Sequence, residues 1–234
     1  MTNAKVVSRE KWLTARLTHL EAEKEFDRQR DALSAARREL PRVRVETDYV
    51  FGGVDGEVSL SELFDGRGQL IVYHFMYGPS WDAGCPSCSY LADHFDGMLA
   101  HLGQRDTSFV AISKANIGQI ESYKARMGWH FPWVSSVANE FNRDYEVSFT
   151  PDEMANGVRY NYRDGVEFPM DEAPGATVFC KDAQGDIFHT YSTYARGLDH
   201  LIGTYQWLDL TVKGRDEEDL PFTMAWIRRH DEYE

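Results

Sequence analysis

The sequence predicts an α/β domain built on a mixed β-sheet that is covered by helices. Two nearly unbroken apolar runs, QLIVYHFMYG at residues 69–78 and TSFVAISKA at residues 107–115, are typical of buried central strands. Apolar residues at helical spacing follow each run, and strands that alternate with helices imply right-handed crossovers and a parallel core. GATVFCKDAQGDIFHTYS then predicts a hairpin that turns around residues 182–185, which adds antiparallel pairing.

Composition and charge restrict the class of protein. The chain has 234 residues, 42% of them hydrophobic, so it can bury a substantial core. Its net charge of −13 argues against nucleic acid or an anionic membrane surface as a partner. The longest apolar run is only strand length, and the first residues turn charged without an apolar signal core. We therefore expect a cytoplasmic protein with no membrane partner.

The N-terminal region, residues 1–42, is predicted to form a helical extension. Ser8 can cap a helix that runs to about Leu40, where Pro41 stops it. Such a helix would span roughly 45 Å. Two roles are open for it, a strut packed on the main domain or an arm that forms a homodimer.

The main domain is expected at residues 43–212. It should begin with a strand, a Gly-rich turn and a second strand in TDYVFGGVDGEVSL. Residues 151–174 form a polar stretch too long for an ordinary connection, so they are either a binding insertion or a mobile flap. Residues 213–234 form a tail whose charged end, RRHDEYE, is expected to lie in solvent.

Cys85 and Cys88 carry the strongest functional signal. In a reducing compartment, a close cysteine pair more often serves redox chemistry or metal binding than structure. Cys85 is predicted where a helix begins after the first central strand, with Pro86 at the first helical position. The helix N-terminus then lowers the pKa of the Cys85 thiol. Cys88, one turn later, lies within disulfide reach and would resolve a mixed disulfide.

A Cys-x-x-Cys motif that opens a helix after a buried strand resembles the thioredoxin fold. The intervening residues here are Pro86 and Ser87, where thioredoxins proper have Gly-Pro. In that fold a cis-proline precedes the strand that faces the cysteines. Pro174, just before GATVFC, matches that position, so the resemblance implies a cis-proline at Pro174 beside the dithiol.

A closer resemblance is carried by three stretches in combination, QLIVYHFMYGPSWDAGCPSCSYLAD, SSVANEFNRDYEVSFT and YSTYARGLDHLIGTYQWLDLTVKGRDE. Together they are similar to the domain of unknown function 899 family, whose members are described as thioredoxin-like, predicted dithiol–disulfide oxidoreductases. The resemblance implies that Cys85 and Cys88 exchange electrons with a disulfide-containing protein or small molecule. It also implies an external thiol reductant and no bound organic cofactor.

Residues near the pair are candidates for the substrate-binding surface. Trp81, Gly84 and Pro86 lie in the same turn, and the Trp81 ring could offer an apolar docking surface to a substrate disulfide. His74, in the central strand, is expected to be a core histidine, with tuning of Cys85 as the minority alternative. Cys180, in an apolar strand, is expected to be buried.

Three alternatives to a dithiol oxidoreductase are open. A peroxidase needs a hydroxyl three residues before its reactive cysteine, and Asp82 occupies that position here. A zinc site needs about four ligands, and the sequence has no second cysteine pair, so no metal is expected. A redox-silent scaffold that binds a partner is the third, because a fold does not determine a function.

Overall fold

A computed structural model describes residues 5–234, and the first four residues of the predicted N-terminal extension lie outside the described part. Helix α1 spans Arg9–Arg38 and begins at Ser8, whose hydroxyl accepts the Lys11 N–H at 3.4 Å. The prediction of this helix and its cap is confirmed. No residue of α1 is buried, so it does not form the packed strut that was one expectation; near its C-terminus Arg37 lies over the Tyr191 ring.

The described residues form a curled, eight-stranded mixed sheet. Its strands are β1 (Val43–Arg44), β2 (Val50–Gly53), β3 (Gly56–Ser59), β4 (Gln69–His74), β5 (Thr107–Ser113), β6 (Trp133–Ser135), β9 (Gly175–Lys181) and β10 (Ile187–Tyr194). They lie in the order β1-β10-β9-β4-β5-β6-β2-β3. Strands β4, β5 and β6 are parallel, and β9 runs antiparallel to β4.

The order β5-β4-β9-β10 confirms the predicted thioredoxin-like fold. Strand β4 leads through helices to its parallel neighbour β5, and the β9–β10 hairpin then adds two antiparallel strands on the other side of β4. The helices are α2 (Pro86–Ala92), α3 (Asp96–Gly103), α4 (Ile117–Met127), α5 (Phe141–Asp144), α6 (Pro151–Asn156) and α7 (Gly203–Leu208). Short 3₁₀ helices span Glu62–Phe64, Ala195–Leu201 and His230–Glu232.

The helix after the cysteines is divided into α2 and α3, although the apolar spacing predicts one helix. Asp93 ends α2, and its carboxylate accepts the Trp129 indole N–H at 2.9 Å and faces the His230 ring nitrogen at 2.7 Å. These partners come from distant parts of the chain, so local spacing could not reveal the break. After β10 the chain forms a 3₁₀ helix and then α7.

The stretch 151–174 contains regular structure. It consists of α6, a hairpin of β7 (Val158–Tyr160) and β8 (Arg163–Val166), and a return segment. Val158 and Tyr160 are buried in a small apolar cluster with Val147 and Ala173. The insertion therefore packs on the domain through its own apolar contacts.

Strand β4 separates two apolar clusters. Leu70 and Val72 face a cluster that includes Phe51 and Phe141, whereas Tyr73 belongs to the cluster beneath the helices that follow the cysteines. This alternation is the ordinary period of a strand. Side chains at the end of β4 that point to the helical face therefore reach the cysteine pair.

Candidate active site

A turn brings Cys85 back to the end of β4. The Cys85 N–H donates to the Met76 carbonyl at 3.0 Å, and the Ala115 N–H holds the Tyr77 carbonyl at 2.7 Å. Cys85 is the residue that caps α2, and Pro86 occupies the first helical position, as the sequence predicts. The turn thereby fixes the sulfur of Cys85 at the carboxyl end of the central strand.

Cys85 as a residue is partly buried, and several donors face its thiol. A hydrogen bond from the Cys88 thiol lowers the pKa of Cys85 most, with further lowering by the backbone N–H groups of Cys88 and Ser87 and by the charge of Arg229. Burial opposes them, and the pKa of Cys85 falls to about 7. A substantial fraction of this thiol is therefore ionised near neutral pH.

Cys88 is in the opposite situation. Its side chain is 1% exposed, and its sulfur accepts the Met76 N–H at 3.5 Å. Burial and the neighbouring Cys85 raise the pKa of Cys88 well above its usual range, while the Tyr73 hydroxyl acts against them. All three cysteines are present as free thiols. The pair thus combines a partly buried cysteine of lowered pKa with a fully buried one of raised pKa.

A hydrogen-bond network lies behind the pair. The Ser89 hydroxyl donates to the Cys85 carbonyl at 2.8 Å and contacts the Tyr123 hydroxyl at 2.8 Å. Arg229 donates from Nε to Tyr123 Oη at 3.0 Å, and from Nε and Nη2 to the Gly84 carbonyl at 3.1 and 2.7 Å. The peptide groups on both sides of Cys85 are therefore bound to one network.

Arg229 belongs to a stretch that we name the C-terminal segment, residues 222–232. The expectation that the charged RRHDEYE end lies in solvent is wrong for Arg229, whose side chain is only 18% exposed. Trp226 packs edge-on against Tyr90 of α2, and Ile227 is buried. Sequence reasoning missed Arg229, because nothing in a run of mixed charges shows that one of them reaches a turn 145 positions away.

Pro174 lies at the start of β9 on the other side of the dithiol. Together with Cys88, Leu198 and Met224 it borders a small cavity of about 70 Å³. No peptide bond in residues 5–234 is cis, so the expectation of a cis-proline at Pro174 is wrong. The Pro174 carbonyl instead accepts the hydroxyl of Tyr160 at 2.7 Å, and that hydroxyl accepts the Ala195 N–H at 3.0 Å.

The remaining predicted site residues have distinct surroundings. Trp81 is partly buried, and its indole N–H donates to Asp171 at 3.1 Å beside an open groove of about 580 Å³. Pro86 is partly exposed at the start of α2. Gly84 is buried, and an added Cβ would lie 2.7 Å from both Phe75 and Tyr123. Substrate contacts by these three residues stay a prediction.

Asp82, which occupies the position where a peroxidase needs a hydroxyl, is exposed. It lines the same groove as Trp81 and Tyr123. His74 lies on the opposite face of β4, where it stacks on Phe141 and bonds Thr177 at 2.8 Å. Burial lowers the pKa of His74 to about 3, so it is a neutral core histidine, as expected.

Cys180 is only partly buried, so the expectation of a buried cysteine is wrong. The Arg42 guanidinium lies 3.8 Å from its sulfur. Its strand places it at the opposite end of β9 from Pro174, and Cys180 pairs in register with Gln69 at the start of β4. Cys180 is therefore remote from the pair along the sheet.

A buried carboxyl near the site also escaped the sequence. Glu172, two residues before Pro174, is 4% exposed; it accepts the hydroxyl of Ser148 and the Asn142 amide at 3.0 Å. Burial raises the pKa of Glu172 to about 7. Its neighbour Asp171 accepts the Trp81 indole N–H. The buried network around Glu172 is therefore joined through Asp171 to the turn that carries Cys85.

Within residues 5–234, no group of three or more His, Cys, Asp or Glu side chains is arranged to hold a metal ion. In the same range, no helix combines the length and the apolar composition that crossing a membrane requires.

Several solved structures are similar to this chain. Peroxidoxin BcpB from Mycobacterium tuberculosis is 15% identical, with a TM-score of 0.47 over 70% of this chain and 95% of its own. A peroxiredoxin Q structure from Xanthomonas campestris is 12% identical, with a TM-score of 0.49 over 70% and 92%. A Chlorobium tepidum protein proposed to be the thiol:disulfide interchange protein DsbE is 18% identical, with a TM-score of 0.37 over 65% and 86%.

Among curated proteins, no significant match was found. The match to a family model is extensive, because it covers residues 1–233 and so includes α1, the dithiol turn, the insertion and the C-terminal segment. That model is described as a bacterial protein of unknown function, DUF899. The chain belongs to the DUF899 family.

Proposed function

We propose that the protein is a thiol–disulfide oxidoreductase whose reactive centre is the Cys85–Cys88 dithiol. The observation that carries the proposal is the contrast between the two sulfurs. Cys85 is partly exposed with a pKa lowered to about 7, whereas Cys88 is buried beside it with a raised pKa. An attacking thiol reacts best when its pKa lies near the ambient pH.

In the proposed reaction the Cys85 thiolate attacks one sulfur of a substrate disulfide. A bond forms between Cys85 and that sulfur, and the other substrate sulfur leaves as a thiolate. Cys88 then loses its proton and attacks the Cys85 sulfur, which releases the second substrate thiolate and leaves a Cys85–Cys88 disulfide. Two electrons pass from the dithiol to the substrate, and an external thiol reductant restores the dithiol.

Formation of the mixed disulfide on Cys85 makes the later attack by Cys88 easier. The charge on Cys85 contributes to the raised pKa of Cys88. In the mixed disulfide Cys85 carries no charge, so this part of the increase disappears and Cys88 ionises more easily. No bound organic cofactor takes part, and the substrate is either a protein disulfide or a small one.

A redox titration tests the proposal. The protein is equilibrated in dithiothreitol buffers of graded potential, alkylated, and weighed by mass spectrometry. We expect the wild type and Cys180→Ser to lose two reactive thiols reversibly at one midpoint, while Cys85→Ser and Cys88→Ser lose none in this transition. A wild-type pair that never forms a reversible disulfide would refute the proposal.

A second arm separates the proposed reaction from peroxide reduction. The reduced protein is mixed with hydrogen peroxide or with glutathione disulfide at equal concentration, and the loss of Cys85 thiol is followed. We expect glutathione disulfide to oxidise the pair and the product to contain the Cys85–Cys88 bond. Rapid turnover with peroxide and none with the disulfide would replace the proposal by a peroxidase.

A further inference from the structure

The Arg229 side chain makes an unusual set of contacts for a residue in a charged surface stretch. Two of its N–H groups converge on one backbone oxygen, the Gly84 carbonyl, which belongs to the peptide group joining Gly84 to Cys85. A third contact goes to the Tyr123 hydroxyl. Arginine forks ordinarily bind carboxylates or phosphates, so this use of the guanidinium indicates a role in the dithiol turn.

Arg229 shares its carboxylate partner with a second arginine. Glu232 Oε1 accepts from Arg229 Nη1 at 2.9 Å and from Arg126 Nη2 at 2.8 Å. Arg126 also binds Asp231, which is on the same segment. Two carboxylates therefore serve the two guanidinium groups, and Arg229 directs its Nε and Nη2 to the Gly84 carbonyl.

Groups from several elements surround the Cys85 sulfur. Cys88 and the N–H of Ser87 face it from α2, and the buried Tyr73 approaches from β4. Asp82 lies exposed in the turn and Tyr123 lies on α4. Among the groups that act on the Cys85 charge, Arg229 is the cation.

From these contacts we infer that Arg229 is a positioning residue for the Cys85 thiolate. Its fork binds the Gly84 carbonyl, the negative end of the peptide dipole next to Cys85, and its positive charge acts on the Cys85 thiolate. Ser89 and Tyr123 bind the carbonyl of Cys85 itself into the same network. The inference rests on the proposed function, in which Cys85 is the attacking sulfur.

The test compares Arg229→Gln with Arg228→Gln in the full chain. Both variants remove one positive charge from adjacent positions, but Arg228 is exposed, and its hydrogen bonds go to Ala225, Ile227 and Tyr233, all within five positions of it. The pKa of Cys85 is read from the pH dependence of iodoacetamide alkylation, with the modified residue identified by mass spectrometry. We expect Arg229→Gln to raise this pKa by about one unit, a roughly tenfold loss of thiolate at low pH, and Arg228→Gln to leave it unchanged.

Arg229→Lys separates charge from geometry. A lysine keeps the charge but loses the planar fork, so we expect a pKa of Cys85 between those of the wild type and Arg229→Gln. A Cys85 pKa in Arg229→Gln equal to that of the wild type would overturn the inference.

Glu232→Gln should shift the pKa of Cys85 in the opposite direction to Arg229→Gln. If Arg229→Gln does not fold, Glu232→Gln is the variant that tests the inference. Removing this carboxylate charge leaves the Arg229 charge less compensated, so the pKa of Cys85 should fall. A value that stays constant or rises in Glu232→Gln would contradict the inference. Failure of the wild-type redox titration would refute the oxidoreductase itself, whereas an unchanged Cys85 pKa in these variants would leave it standing.

Discussion

Helix α1 has 30 residues and buries none of them, whereas the 11 residues at 222–232 bury Ile227 and contact the dithiol turn through Arg229. Both regions mix charged residues with tryptophan and other apolar side chains. The difference lies in their contacts. The backbone hydrogen bonds of the long helix lie within the helix itself, whereas the short segment also forms hydrogen bonds with polar groups of distant elements. Length and apolar content alone therefore do not show which end of a chain supports a site.

The largest expected difference in unfolding free energy between the two regions comes from removing one tryptophan in each. The Trp226 indole donates to Glu217 at 2.7 Å and its ring packs on Tyr90, so Trp226→Ala should lower the free energy of unfolding by about 3 kcal/mol. Trp12 on α1 is 47% exposed, and Trp12→Ala should change it by less than about 0.5 kcal/mol. Urea unfolding measures both.

Equal losses for the two variants would break the contrast. In that case something covers α1, and the dependence on protein concentration would identify it. A Trp12→Ala effect that grows with concentration would indicate a second copy of the chain on the helix, which is the homodimer that stays a prediction from the sequence.

A smaller effect is expected where the C-terminal segment attaches to the turn. A Cβ at residue 84 would come within 2.7 Å of the rings of Phe75 and Tyr123, so Gly84→Ala should cost about 2 kcal/mol of unfolding free energy. Gly97, in α3, has no atom within 4 Å of an added Cβ, and Gly97→Ala should be neutral or stabilising by up to about 1 kcal/mol. Chemical denaturation of the two alanine variants measures the difference in unfolding free energy. A Gly84→Ala variant as stable as Gly97→Ala would show that the turn can move to accommodate the added Cβ.

The smallest effect should come from the surface ion pairs, where the two regions are alike. Asp231 binds Arg126 through two contacts, and Glu25 binds Arg28 on α1. Because Asp231 and Glu25 lie at the surface, Asp231→Asn and Glu25→Gln should each leave the free energy of unfolding nearly unchanged. Thermal unfolding at low and high salt measures both, and a much larger, salt-insensitive loss for Asp231→Asn would show that the pair is part of the dithiol support.

The sequence predicted the elements whose signals are local. The apolar run of β4, the Ser8 cap and the placement of Pro86 directly after Cys85 each depend on residues within a few positions of one another. The order of strands and helices then predicted a mixed sheet covered by helices, and the resemblance of the Cys85–Cys88 motif implied a thioredoxin-like fold. The resemblance to a known family, carried by motifs along the chain, agreed with this reading.

The support of the site could not be predicted in the same way. Arg229, Tyr160 and Glu172 act through contacts with residues far away in sequence or buried by tertiary packing. Their local sequences are typical of a solvated tail and a polar loop. Only the packing of the insertion and of the C-terminal segment on the domain reveals which of their polar groups lie beside the dithiol.

The burial of Cys88 has a consequence for competition with other thiols. In the proposed reaction, a substrate held on Cys85 can be released by Cys88 or by any thiol in solution. Because Cys88 is confined beside Cys85 within the same fold, its effective concentration is fixed by the fold and does not fall when the protein is diluted. The Cys88→Ser variant would remove this internal competitor, so substrates captured on Cys85 should persist long enough to be isolated and identified.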